Sequence, residues 1–230
     1  MHITSAPPIL YFGTPVALIS TLNEDGSYNL APMSSVFWLG WRAILGLAAP
    51  SKTTQNIIRT GECVLNLPSV DLVGAVNALA RTTGSNPVPE GKQKKGYRHE
   101  ADKFGIAGLT PVASQIVGPP AVLECPVQME ATVAAIHGLA EEDPVQRGRI
   151  VTIELQIRRV SLEESILKPG VADKVDPNKW RPLIMSFQEL YGLGQQIFPS
   201  TLAQIPEILY HTPDRERALD LSASADRVHY

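Results

Sequence analysis

Cysteine is scarce in this 230-residue chain, and the two that occur stand far apart. Cys63 and Cys125 belong to no Cys-x-x-Cys pair, which argues against a zinc site or a dithiol redox centre and suits a reducing compartment. Both sit in apolar strand patterns, so they read as buried, inert thiols. Long hydrophobic runs are missing too. No apolar stretch reaches roughly 18 residues without a polar interruption, so no transmembrane helix and no membrane partner are expected. An excess of one charge is also lacking: 20 Lys+Arg against 23 Asp+Glu leave −3, which gives no basic footprint for DNA or RNA. The opening Met1–Pro8 has neither a cationic segment nor a long apolar one, so a signal peptide is not expected and the chain reads as cytoplasmic.

Signatures of several enzyme classes are absent as well. There is no Gly-x-Ser-x-Gly elbow, and His2, His99, His137, His211 and His229 are scattered, which excludes a hydrolytic triad of that type. His137 precedes Gly138 at the end of an apolar run and reads as a turn position. No histidines, cysteines or carboxylates recur at metal-ligand spacing. Neither Gly-x-Gly-x-x-Gly nor a P-loop occurs, so a Rossmann or Walker nucleotide site is unsupported. Gly192-Leu193-Gly194 is a fragment of such a motif after a late strand, and we read it as a turn.

What the chain does have is strand pattern. A hydrophobic fraction of 44% with 19% charged residues is ordinary for a globular protein, and this length can bury a sizeable core. Length alone allows one large domain or two small ones. Val16–Leu22 is apolar and β-branched and ends in Asn23-Glu24-Asp25-Gly26, so Asp-Gly predicts a hairpin with a strand returning from Tyr28. Arg42–Ala49 is nearly all apolar and predicts a strand buried on both faces. Ser51–Thr60 predicts a short helix stopped by Gly61, and Glu62–Leu67 a strand ended by Pro68. Apolar residues at helical spacing predict a helix over Asp71–Arg81, and Ala101–Gly105 reads as a helical turn.

Thr82–His99 breaks this regularity with Gly84, Pro87, Pro89, Gly91 and the basic residues Lys92, Lys94, Lys95 and Arg98. It reads as a mobile loop, a partner arm or a lid over a substrate or nicotinamide. Further strands are predicted from Val112 to Val117, over Ala121–Ile136 with an interruption at Pro126, over Arg149–Val160 and over Leu183–Leu190. The tail from Phe198 to Tyr230 reads as an extended arm with one or two short helices. Strands dominate and helices are few, a pattern that best fits a closed β-barrel with inserted helices.

The most informative stretch runs from Asn29 to Asn56. Asn29-Leu30-Ala31-Pro32-Met33-Ser34-Ser35 closes one strand with two hydroxyls. Ser51-Lys52-Thr53-Thr54-Gln55-Asn56 then places hydroxyls and a lysine where a helix begins. A helix start offers unpaired N–H groups and the positive end of its dipole, which suits a phosphate. The same residues also fit an ordinary N-cap at Ser51 beside a solvated lysine.

Order and spacing then carry a resemblance. Pro15–Thr21, Asp25-Gly26, Asn29–Ser35, Ser51–Ile57 and Gly61–Pro68 together resemble the flavin reductase-like family of FMN-binding split β-barrels, which includes flavoredoxins and NAD(P)H:flavin reductases. Gly108-Leu109-Thr110-Pro111, Val122-Leu123-Glu124-Cys125 and Tyr191-Gly192-Leu193-Gly194 match its second half.

The resemblance implies a mainly β fold, an FMN-binding split (Greek-key) barrel with a few inserted helices. It spans residues 1–230 as one domain, with a core of about 11–195 and a C-terminal arm from 196. It implies FMN as cofactor, with Met33, Ser34 and Ser35 along the isoalloxazine and ribityl chain. Ser51, Lys52, Thr53 and Thr54 would then stand at the phosphate, with Asn56 behind them. It also implies a homodimer with flavin near the interface, where Tyr191 reaches the partner's flavin. The expected activity is an NAD(P)H-dependent flavin reductase that passes hydride through flavin N5 to a small-molecule or protein acceptor. No acid or base is obligatory for it. The alternatives are an FMN-binding electron carrier without its own nicotinamide reaction, and a barrel without flavin acting as a structural dimer.

Overall fold

A computed structural model describes residues 1–228. Its centre is a seven-stranded antiparallel sheet. In chain order, and counting a smaller three-stranded sheet beside it made of the first and the last two strands, the strands are Phe12–Pro15 (β1), Ala17–Leu22 (β2), Tyr28–Met33 (β3), Val36–Leu39 (β4), Arg42–Ala48 (β5) and Glu62–Leu67 (β6). Val127–Gly138 (β7), Ile150–Leu162 (β8), Leu183–Ser186 (β9) and Glu189–Gly192 (β10) complete the set. The order across the main sheet is β3-β2-β6-β7-β8-β5-β4. Its two edges, β3 and β4, are consecutive in the chain and joined only by Ser34 and Ser35. Two residues span at most about 7 Å beyond the strand ends, so the sheet must curl until its edges meet at that corner. The result is a barrel split along a seam, as the mainly β reading expected.

Alternation along the strands fills the barrel. Ala43, Leu45 and Leu47 of β5, Ile153, Leu155 and Ile157 of β8, and Ala17 and Ile19 of β2 form one core. Leu18 and Leu30 point the other way, under the helices Val73–Leu79 (α2) and Lys103–Ala107 (α4), where Val76, Leu79 and Phe104 cover them. Both thiols lie in these cores, and burial pushes Cys63 up to about 12 and Cys125 higher still, so both stay protonated. β5 is buried on one face only: Arg42, Ile44 and Gly46 are half-exposed on the other.

The helix Lys52–Thr60 (α1) follows local rules. Ser51 caps it by accepting from the Thr54 N–H at 3.1 Å, and Gly61 at φ 73° ends it by donating to Ile57 O. Other predicted elements are corrected. The 112–117 stretch contributes only Pro111–Val112 as strand, because its next amides turn to a carboxylate instead of a ladder. The 121–136 run is Ala121–Val122 and β7, split by Pro126, which has no N–H to give. The 183–190 run is the hairpin β9–β10, turned by Phe187 and Gln188 at φ 47° and 69°. Residues 82–99 are ordered by a short helix, Glu90–Gln93 (α3), and a parallel pairing of Thr82–Thr83 with Arg98–His99.

The tail ends in a sixteen-residue helix, Pro213–Val228 (α5), longer than the short helices predicted; Tyr230 lies outside the described residues. α5 docks through Asp214, which accepts from Arg42 Nε at 2.8 Å, Arg42 Nη2 at 3.2 Å and Gln156 Nε2 at 2.9 Å. The Arg42 guanidinium holds the Asp214 carboxyl below the usual carboxylate range. Asp214→Ala is expected to cost about 1 kcal/mol and to speed proteolysis of α5 selectively. Unchanged cleavage would mean that apolar packing alone holds the helix.

Candidate functional site

The seam sets the site. At its corner, Gly46 N donates to Ser35 O at 2.9 Å, and two residues further along β5, Ser51 N donates to Ala48 O at 3.0 Å. The β3–β4 corner and the start of α1 therefore face the same end of β5, about 7 Å apart along the strand. β3 ties the two from the other side, since Asn29 Nδ2 donates to Thr53 Oγ1 at 3.1 Å.

Two clefts flank β3. One, of about 220 Å³, opens at the seam between Met33, Ser34, Asn77, Tyr97, Met185 and Gln188. The other, of about 370 Å³, lies at the far end of β3 between Asn23, Asn29, Lys52, Gly84, His99 and Glu100. The 82–86 segment runs close against β3 between them. A Cβ on Gly84 would stand 2.6 Å from Asn29 Oδ1, so only glycine permits that approach.

The predicted site residues fall into three sets. Ser51, Lys52, Thr53, Thr54 and Asn56 come together at the α1 start. Their hydroxyls are partly committed: Ser51 Oγ meets Thr54 Oγ1 at 2.7 Å, and Thr54 Oγ1 donates to Ala48 O at 2.8 Å. Asn56 is fully buried and donates to Thr21 Oγ1 and Asn23 Oδ1, while its own Oδ1 has no protein partner. Lys52 Nζ reaches Glu24 at 2.5 Å; the lysine is the less exposed member of this pair and Glu24 rides on the exposed hairpin turn.

Met33 and Ser34 line the seam cleft, and Ser35 beside them bonds the Tyr11 hydroxyl at 3.0 Å. Tyr191 stands apart. Leu190 next to it faces the seam cleft, and strand alternation turns Tyr191 outward, more than half exposed.

Sequence reasoning missed Tyr11, Asn77, Tyr97, Met185 and Gln188. They come from four separate segments, Met185 and Gln188 sharing the β9–β10 hairpin, so no local spacing signals them. Asn29 lay within the informative stretch, but its tie to Thr53 follows only from the barrel. Lys92 is the member of the basic loop that turns inward: its Nζ donates to Thr83 Oγ1 at 3.1 Å and lies 5.6 Å from the Tyr97 ring centre. Burial lowers its pKa. No group of three or more metal-ligating side chains converges among the described residues. No helix among them is long and apolar enough to cross a membrane.

The seam cleft and the capped, lysine-bearing start of α1 thus lie toward opposite ends of one strand, β3, of a split barrel. The family model of the flavin reductase like domain matches residues 9–191. The chain belongs to that family. It is 38% identical over 191 residues to the uncharacterized protein YdfE of Bacillus subtilis (strain 168), covering 83% of this chain and 89% of that one. In structure it is similar to the flavoredoxin of Desulfovibrio vulgaris (Miyazaki F), with a TM-score of 0.70 at 22% identity over 89% of this chain and 100% of that one. It is also similar to the flavoredoxin from Methanosarcina acetivorans, with a TM-score of 0.69 at 16% identity over 87% and 96%. At these identities the structural likeness is one of fold.

Proposed function

We propose that this chain binds FMN across the seam and acts as an NAD(P)H-dependent flavin reductase. The observation that carries this is the juxtaposition on β5 of the Ser34–Ser35 corner and the α1 start, a gap that a ribityl chain spans. The residues fit the cofactor. Met33 offers an apolar wall for the isoalloxazine ring, and the backbone of Met33–Ser35 offers donors and acceptors to its polar edge. The first-turn amides of α1 suit a phosphate dianion, with Lys52 as a point charge. Glu24, on its exposed turn, yields the lysine to a stronger anion. Bound FMN supplies the hydride acceptor at N5; the protein binds it, orients it and limits water around it.

We further propose a dimer with flavin near the interface, where the outward, more than half-exposed Tyr191 meets the partner's cofactor. The acceptor is then a small molecule or a protein. The cytoplasm is the proposed compartment.

The deciding test is the absorbance of purified protein before and after anaerobic NADH or NADPH. Yellow protein that bleaches at a catalytic rate with either nucleotide is expected. Yellow protein that stays oxidised with both would assign an electron carrier, and colourless protein that fails to take up FMN would overturn the reading.

Lys52→Ala is expected to weaken FMN retention about tenfold or more, against little change for the exposed Lys95→Ala. Equal retention in the two variants, read by dialysis and flavin fluorescence, would remove the phosphate from α1.

A further inference from the structure

The family match ends at residue 191, and the chain then enters an arm with an unusual surface. Ile197, Phe198, Leu202, Ile208, Leu209 and Tyr210 are exposed by between 58% and 98%. The two aromatics alone, at roughly 150–250 Å² each when whole, and the four aliphatic side chains beside them offer apolar surface on the order of several hundred Å². Isolated proteins rarely leave so much uncovered, and about 800 Å² per partner is what a stable interface buries.

The arm is not loose. It leaves β10 beside Gln188 and Leu190, both on the seam cleft. Lys174 pins Glu207 at 2.7 Å midway. At the far end, Thr212 packs on the β4–β5 turn, where a Cβ on Gly40 would lie 3.2 Å from Thr212 Cγ2, and Arg42 holds Asp214. Three tethers to its own chain thus present the apolar side chains outward.

A second set of exposed apolar side chains lies on β1, the neighbouring β4 and the β9–β10 turn. Phe12 and Phe187 meet edge to face, their centres 4.8 Å apart. Phe37 and Leu39, on the outward side of β4, are also exposed. β1 joins this face to the seam, since Tyr11 bonds Ser35 and its carbonyl accepts from Phe187 N.

We infer that the arm is a clasp: residues 193–210 of one copy lie on the Phe12–Phe37–Leu39–Phe187 face of a second copy. A two-fold axis satisfies both patches of both chains at once and leaves none over, which a single foreign partner does not do. Each arm then borders the partner's seam cleft and closes it from solvent. This rests on the dimer proposed above and names the segment that makes it.

Sedimentation velocity on the full chain at micromolar concentration, with no flavin added, tests it. The wild type is expected at twice its 25.0 kDa mass. Phe198→Asp/Leu209→Asp in the arm and Phe37→Asp/Leu39→Asp on the face are each expected at the single mass, with an unchanged far-UV circular dichroism spectrum. Ile197→Asp, at a position that is almost wholly exposed, gives a variant that cannot disturb the protomer and is expected to weaken the dimer at least tenfold. A monomeric wild type sinks the dimer itself. A dimer that survives either double variant sinks the clasp while leaving dimer and flavin readings in place.

Discussion

Glu130→Ala is expected to be among the most damaging single substitutions in the barrel, at about 3–4 kcal/mol. Glu130 lies on β7, 5% exposed, and its carboxylate collects three backbone amides from the loop that follows Pro111–Val112. Gln115 N reaches Oε1 at 3.0 Å, while Ile116 N and Val117 N reach Oε2 at 2.5 and 3.1 Å. Alanine leaves these donors without an acceptor under the cover of Val117, Ala121 and Val64. Each buried orphan costs about 1–3 kcal/mol, reduced as the loop opens to water. Against a total stability of roughly 5–15 kcal/mol, that is a large fraction. Glu130→Gln keeps one oxygen but brings an NH2 against donors, and is expected to cost about 2 kcal/mol. Urea midpoints measure both losses, and hydrogen exchange at 115–117 localises them. A loss below about 1 kcal/mol for alanine would show that packing alone holds the loop.

That carboxylate also explains where the sequence misleads. Val112–Val117 has strand composition, yet three of its amides are taken by the Glu130 side chain on the next long strand, and no local pattern reports such a partner. Phe187-Gln188 likewise lacks the glycine or asparagine that marks a hairpin turn, so β9 and β10 read as one strand. What is decided locally was legible: Asp25-Gly26 gives the first hairpin, and Ser51 with Gly61 brackets α1. The candidate site divides along the same line. The α1 start and the Met33–Ser35 corner are contiguous and could be named from the chain. Their juxtaposition arises because β3 and β4 are opposite edges of one sheet, a property of its strand order. Tyr97, Met185 and Gln188 enter the cleft only once that order is known.

Lys103→Met is expected to raise stability at neutral pH and to abolish a rise in stability expected of the wild type above pH 8. Lys103 opens α4 with only 2% of its surface exposed, wedged behind β3. Its ammonium donates to Thr82 Oγ1 at 2.7 Å and more distantly to Leu30 O at 3.5 Å, both uncharged acceptors. Burial first, then the charges of Lys92 and Arg98, pull its pKa down to about 8, with Glu100 opposing.

The sign follows from proton binding. Between about 8 and 10.4 the unfolded chain holds a proton that the folded chain has released, so stability climbs with pH across that window. The climb is bounded at about 3 kcal/mol, and below pH 8 the full cost of burying the charge is present. Methionine fills much the same volume without that charge. Losing the bond to Thr82 offsets part of the benefit, so the expected gain at pH 7 is about 1–2 kcal/mol. The difference between urea midpoints of wild type and variant, followed from pH 7 to 10, isolates this lysine from every other group that titrates there. Curves that run parallel would mean that Lys103 keeps its proton as an exposed lysine does. Converging curves would show an uncompensated cation held against the edge strand that leads to the seam. There, its contact with Leu30 O braces the same strand that carries Asn29 to α1 and Met33 to the cleft.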